Sequence, residues 1–203
     1  MMPDSTSVLI SFLLVVASYF IGSISAAITT CQIMGKDDPR TLGSKNPGAT
    51  NVMRFAGKTA AAVTLLGDLL KGLIPVAIGH SLDLSWGWLV LVGIAAFIGH
   101  LYPIYYGFKG GKGVATAMGV YFGLNPVIGL VVAITWLISA LLFNISSLSA
   151  LIACLLAPLY FLWVTGSVNL FLGLLLITAF IFWRHRVNIT KIIDGSESKI
   201  SKK

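Results

Sequence analysis

Carboxylate is scarce in this chain. Its 203 residues hold seven Asp and Glu, and there is no glutamate before Glu197. Asp37 and Asp38 are adjacent and loop-borne, so neither a carboxylate metal cage nor a paired Asp/Glu acid–base site is offered. Cysteine is nearly absent. Cys31 and Cys154 sit in or beside apolar runs and read as two unpaired thiols packed as small hydrophobes. One such pair supports neither a disulfide framework nor a zinc site. Charge of either sign is sparse, at 10% of residues, where a soluble domain carries about a quarter. No Lys or Arg precedes the first apolar run, so the basic n-region of a cleaved signal peptide is missing. That run reads as a retained helix. An aromatic-basic nucleic-acid motif is missing too, which speaks against a nucleic-acid partner.

What is present is hydrophobic: 57% of the chain. This composition reads as a polytopic membrane protein folded as a single domain, 1–203, with 196–203 as a frayed polar tail. Apolar runs cover roughly 8–30, 59–79, 86–106, 114–124, 127–143, 147–164 and 168–183. A spanning helix needs about 20 residues, and only the fourth run is markedly short. Asn125-Pro126 divides it from the fifth, because proline removes a backbone donor and disfavours helix in the residue before it. Cations fall in 31–58, in 107–113 and in the tail after 183. Seven crossings put all three of these segments on the cytosolic side. The expectation is an all-α integral membrane protein, a seven-helix transmembrane bundle with one short span, N-terminus outside and C-terminus cytosolic.

The basic segments carry the chemistry. "RTLGSKNPGATNVMRFAGK" gathers Ser44, Asn46, Thr50 and Asn51 with turn-forming Gly and Asn-Pro, flanked by cations including Arg54. A loop that only set orientation would not need so many small polar residues. "GHLYPIYYGFKGGKGVAT" ends where a helix opens near Gly113 or Val114. Free N–H groups there, with Lys109 and Lys112, make an anion site. It is not a Walker A loop: Tyr106 stands six before Lys112, and Gly113 follows it. "RHRVNITKIIDG" places His185 and Asn188 at i, i+3 on one face. The serines of "FNISSLS" cap a helix and could also meet a phosphate. Asp68 and Lys71 form an i, i+3 pair inside a span, while His80 and His100 lie at span ends. No HxxxxD pattern occurs, since Ser85 and Tyr105 stand five after His80 and His100. A site of cations, hydroxyls and amides without a strong base could transfer an acyl group only from a well-activated donor.

These three segments resemble the three cytosolic motifs of the bacterial acyl-phosphate:glycerol-3-phosphate acyltransferases, the PlsY family. The family patterns are close to GSGNPGATNxxR, GHxFPxxxxFKGGKGVAT and RHxxNIxRLxxG. The chain reads "GSKNPGATNVMR", "GHLYPIYYGFKGGKGVAT" and "RHRVNITKIIDG". It departs at Lys45 for a usual glycine, Tyr102 for phenylalanine and Lys191 for arginine, and carries Asn144 where relatives often have a base. The resemblance implies acyl transfer from acyl phosphate to the 1-hydroxyl of glycerol 3-phosphate, as the first acylation of phospholipid synthesis. It implies no metal or nucleotide cofactor. The setting it implies is the bacterial plasma (inner) membrane, with membrane lipid around the bundle and the site facing the cytosol. A soluble acyl-phosphate-producing enzyme is the implied transient partner. Expected catalytic residues are Lys112, Ser44, Arg54, His185 and Asn188. Expected substrate-binding residues are Asn46, Thr50, Asn51, Lys109, Gly110, Gly111, Gly113, Thr116 and Ser147. In this reading the N–H groups of Gly110, Gly111 and Gly113 assist Lys112, and Ser44, Arg54, His185 and Asn188 position the acceptor. An organic-phosphate transporter and a non-catalytic phospholipid-binding scaffold are the rival readings. The transporter predicts cations on both sides, and the outer connections are nearly uncharged.

Overall fold

Helix is the expected answer to lipid, because every backbone polar group must be satisfied internally there. The computed structural model describes residues 5–200, and those residues form α-helices and one 3₁₀ turn with no strand among them. The helices are α1 (Ser5–Gly22), α2 (Ala26–Ile33), α3 (Ala49–Ser81), α4 (Trp86–Leu101), α5 (Val114–Leu124), α6 (Pro126–Phe143), α7 (Ser146–Thr165), α8 (Val168–Arg184) and α9 (Arg186–Ile193). The 3₁₀ turn is Ile104–Tyr106.

Five helices are long and apolar enough to cross a membrane, or six if α8 and α9 count as one bent span. That differs from the seven crossings expected. The difference lies in α5, whose 11 residues reach only about 16 Å. Its neighbours enclose it, with Thr116, Ala117, Gly119, Val120, Tyr121, Gly123 and Leu124 all buried. Glycines bring α3 and α5 into near backbone contact: a Cβ on Gly72 would overlap Thr116 O, and one on Gly119 would overlap Leu69 O. Asn125 ends α5 and caps α6, its side chain accepting from Val127 N at 3.0 Å and Ile128 N at 3.1 Å. The break at Asn125-Pro126 is thus where the sequence put it.

The first apolar run is not one helix. It breaks at residues 23–25, between α1 and α2. Ser25 caps α2 by accepting from Ile28 N, while Ser23 Oγ turns back to Tyr19 O at 2.8 Å. Ser11 and Ser18 make the same i−4 bond inside α1 without ending it, so what marks the break is the new helix start capped by Ser25. A second bend lies in α3 at Gly57, whose φ of 88° is left-handed. The stretch before it carries Thr50, Asn51 and Arg54 as a short helix apart from the apolar part. The third bend is the 63° turn between α8 and α9. All three bends lie outside the main apolar core, which includes Phe97, Val120, Tyr121, Cys154, Phe161 and Ile181. Cys31 and Cys154 are buried and unpaired, as expected.

Candidate active site

Asn51 organises the first polar segment. It is 1% exposed, and its Nδ2 donates to Pro39 O at 2.9 Å and Leu42 O at 3.0 Å. Its Oδ1 accepts from Ser44 N at 2.9 Å. The amide is thereby committed to shaping residues 39–44, and Asn51 also lies on the wall of a cavity that those residues border. The same shaping sets Ser44 and Asn46 on the wall of that cavity, beside Thr50 and Arg54. Arg40 is diverted elsewhere: it pairs with Asp38 at 2.7 Å and lies 6.0 Å over the Tyr106 ring. Its hydrogen bonds hold the Asp38 carboxyl below the usual carboxylate range.

The glycine loop is arranged differently from expectation. Gly110 N donates to Leu101 O, and Gly111 N to His100 O, both at 3.2 Å. The carbonyls at the end of α4 lack intrahelical partners, and the loop supplies them. These two N–H groups are therefore not presented to an anion. The loop's own carbonyls are held by Arg184, whose Nη2 donates to Gly110 O at 2.8 Å and Nε to Gly111 O at 3.1 Å. Gly113, at φ 86°, turns the chain into α5 where a Cβ would overlap the Phe97 ring. Gly113, Val114 and Ala115 line the cavity, and no side chain caps the helix there. The anion-attracting groups are thus the first turn of α5 together with Lys112. Lys109 is exposed and Thr116 is buried. Neither is among the lining residues, and Gly110 and Gly111 are not either.

Lys112 reaches across to α9, donating to Asn188 Oδ1 at 2.6 Å. Burial pulls its ammonium below the ordinary lysine range; Glu197 opposes this, and Arg184, Arg54 and Lys191 reinforce it. His185 follows the last residue of α8 and is 3% exposed. Its Nδ1 lies 2.8 Å from Ile181 O. A carbonyl only accepts, so Nδ1 carries the proton and the neutral ring offers Nε2 as acceptor. Burial, then the Lys112 charge, lowers His185 to about 4. It is neutral at pH 7 and a weak base.

The tail supplies what the sequence did not suggest. Residues 196–200 are docked rather than frayed, while 201–203 lie outside the described residues. Glu197 Oε1 accepts from Ser147 Oγ at 2.8 Å and Asn188 Nδ2 at 2.7 Å. Ile200 N donates to Asn144 O at 2.8 Å. The only hint in the sequence was a lone glutamate just beyond the third motif. Lys191 and Ser146 also line the cavity, as do Asp68 of the i, i+3 pair and His100 beside the lysine loop.

The cavity holds about 380 Å³. Its lining combines Arg54, Lys112, Lys191, Ser44, Ser147, His185 and Asn188 with Leu65, Leu69, Met118, Phe122, Ala133 and Trp136, and includes two carboxylates, Asp68 and Glu197. It suits an amphiphile with an anionic head and a hydrocarbon tail. Among the described residues no group of three or more His, Cys, Asp or Glu could hold a metal ion.

The family model described as glycerol-3-phosphate acyltransferase matches residues 12–195. This chain belongs to that family. A glycerol-3-phosphate acyltransferase from Thioalkalivibrio sulfidiphilus is 51% identical over 195 residues, covering 96% of each chain. One from Hydrogenovibrio crunogenus is 53% identical over 189 residues, covering 93% of this chain and 90% of the relative. The crystal structure of PlsY (YgiH), an integral membrane glycerol 3-phosphate acyltransferase, in its glycerol 3-phosphate form, superposes with a TM-score of 0.90 at 37% identity. That match covers 94% of this chain and 96% of the other. Within the family fold, three motifs far apart in sequence meet at one cavity: Ser44 and Arg54, Lys112, and His185 and Asn188 all line it.

Proposed function

We propose that this acyltransferase moves a fatty acyl group from acyl phosphate to the 1-hydroxyl of glycerol 3-phosphate. The products are 1-acylglycerol 3-phosphate and inorganic phosphate. The observation that carries the reading is one cavity lined by both cations and apolar side chains. The glycerol 3-phosphate and lysophosphatidic acid forms of the 37% identical PlsY support acceptor and product.

Lys112 and the first turn of α5 neutralise the acyl phosphate head and the charge that develops at its carbonyl. The apolar wall takes the tail. Ser44, Arg54 and the Nε2 of His185 orient glycerol 3-phosphate. Asn188 holds Lys112 in place through its 2.6 Å contact. In the step itself the acceptor oxygen forms the new ester bond and the carbonyl carbon–phosphate oxygen bond breaks. The hydroxyl proton passes to the leaving phosphate. His185, at about 4, is poorly matched to general-base work near neutrality. Positioning of two activated groups is then the main source of rate. The site faces the cytosol of a bacterial plasma membrane in this reading, with seven crossings counting the short α5. A soluble enzyme making acyl phosphate would approach the same face.

The test is product formation by purified protein from palmitoyl phosphate and labelled glycerol 3-phosphate, with acyl-CoA in parallel. Lysophosphatidate from acyl phosphate alone is the expected result. Product from acyl-CoA alone would overturn the donor, and no product from either donor with folded protein would overturn the reaction.

A further inference from the structure

Three ionisable side chains are buried together where the reaction does not use them. Asp68 and Lys71 lie one turn apart on α3, and His100 is in the last turn of α4; they are 2%, 6% and 6% exposed. Lys71 Nζ is 2.8 Å from Asp68 Oδ1, and His100 Nδ1 is 3.5 Å from the same oxygen. Lys71 also donates to Ile24 O at 2.8 Å, in the break between α1 and α2. Ionisable groups at membrane depth are costly and mark a specific need. An ion pair kept only for stability could be replaced by apolar packing, often without loss.

His100 extends the cluster toward the site. Its ring lies against Gly111, where a Cβ would overlap Nε2 and come within 2.9 Å of Cε1. Its carbonyl accepts the Gly111 N–H at 3.2 Å. The next residue is Lys112. Asp68 and His100 themselves form part of the cavity wall. A leucine at position 100 would fill space but would set no polar atom beside Asp68. Lys71 supplies the directional bond of the cluster, to Ile24 O, while His100 Nδ1 and Asp68 Oδ1 are buried in polar contact at 3.5 Å without a hydrogen bond between them.

We propose that Asp68, Lys71 and His100 act as a positioning cluster for the glycine loop. His100 is the platform on which Gly111 rests, Asp68 fixes the ring, and Lys71 fixes Asp68 against the α1–α2 break. What they place is Lys112 and the first turn of α5, so the proposal rests on the reading that those groups act on the reacting phosphate.

The test is steady-state kinetics of full-length protein, with Tm and the folded fraction measured alongside. Displacement of reacting groups by an ångström costs about 10²-fold. His100→Ala is accordingly expected to lower kcat per folded molecule about 10²-fold, with KM for glycerol 3-phosphate within about threefold. His100→Gln, which keeps a polar side chain of similar reach, should recover about tenfold of that loss. Asp68→Asn keeps the shape and guards against a His100→Ala that does not fold; its kcat should fall about tenfold. A lowered Tm with kcat per folded molecule unchanged in these variants would overturn the proposal and leave a structural ion pair. Wild-type protein run with acyl phosphate and with acyl-CoA separates the two ideas. Absence of wild-type product from acyl phosphate defeats the donor reading, and the variants are then compared on the donor that is used.

Discussion

The loop leading into α3 and the loop leading into α5 are both rich in glycine and cations, yet one is held by a side chain and the other by its backbone. In the first, Asn51 spends its whole amide on Pro39, Leu42 and Ser44, leaving side chains free to line the cavity. In the second, the N–H groups of Gly110 and Gly111 are spent on α4 and their carbonyls on Arg184. What that loop offers the cavity is one lysine and a helix start. Each of these two loops therefore mixes residues that line the cavity with contacts that hold the loop in shape, and composition alone does not sort them.

The comparison can be broken at five points, beginning with the largest effect. Lys112→Ala removes the one lysine of the second loop that lines the cavity. Loss of one preorganised charge-stabilising donor costs about 10²–10³-fold in kcat, and an assay at saturating substrates should find a drop in that range. Survival of activity within tenfold would shift the phosphate-binding role to the first loop. Arg184→Ala releases the backbone of the second loop. Two charge-assisted hydrogen bonds to Gly110 and Gly111 are lost, so a fall in kcat of about thirtyfold is expected. Glycerol 3-phosphate titration would expose a pure binding defect instead. Asn51→Ala is the corresponding break in the first loop. It orphans buried backbone groups, so a destabilisation of about 2 kcal/mol should appear as a lowered Tm.

His185 gives a pH test. Its folded pKa of about 4 lies below the ordinary value of about 6.5. The unfolded chain then binds more protons in that interval. Stability is full above about pH 6.5 and falls by up to about 3 kcal/mol as pH drops toward 4. His185→Gln should flatten that part of the stability curve. If the wild-type curve is already flat there, the ring is not buried neutral. The smallest effect belongs to Lys109→Ala, which should leave kcat/KM within about twofold, since Lys109 is exposed and off the cavity wall. A Lys109 loss matching that of Lys112 would mean the loop rearranges around substrate.

The helical fold was legible because lipid permits few alternatives. Apolar length and the Asn125-Pro126 break marked most helices, and small polar residues with cations marked the site. The breaks at Ser23–Ser25 and Gly57 were less legible, because serine and glycine are tolerated inside helices and only packing decides whether they bend one. Lys112, Ser44, Arg54, His185 and Asn188 were named from sequence, and all line the cavity. Lys109, Gly110, Gly111 and Thr116 were named with them and do not. Their residue types fit an anion site, but the direction of an N–H or hydroxyl depends on partners distant in sequence.

By itself, the sequence determined that this chain lies in a membrane, that its cations cluster in three segments, and that it carries the family's motifs. Those are properties of local composition, which solvent preference and residue chemistry read directly. Only the tertiary structure decided which of the motif residues reach the cavity, that Glu197 returns to bridge Ser147 and Asn188, and that a buried Asp–Lys–His cluster lies beneath the glycine loop. Ser147 and Glu197, and Asp68 and His100, are tens of positions apart, and Asn188 meets Glu197 only because the chain turns back after α9. Hydrogen bonds are directional and short, so no one-dimensional pattern specifies which of many polar groups will meet.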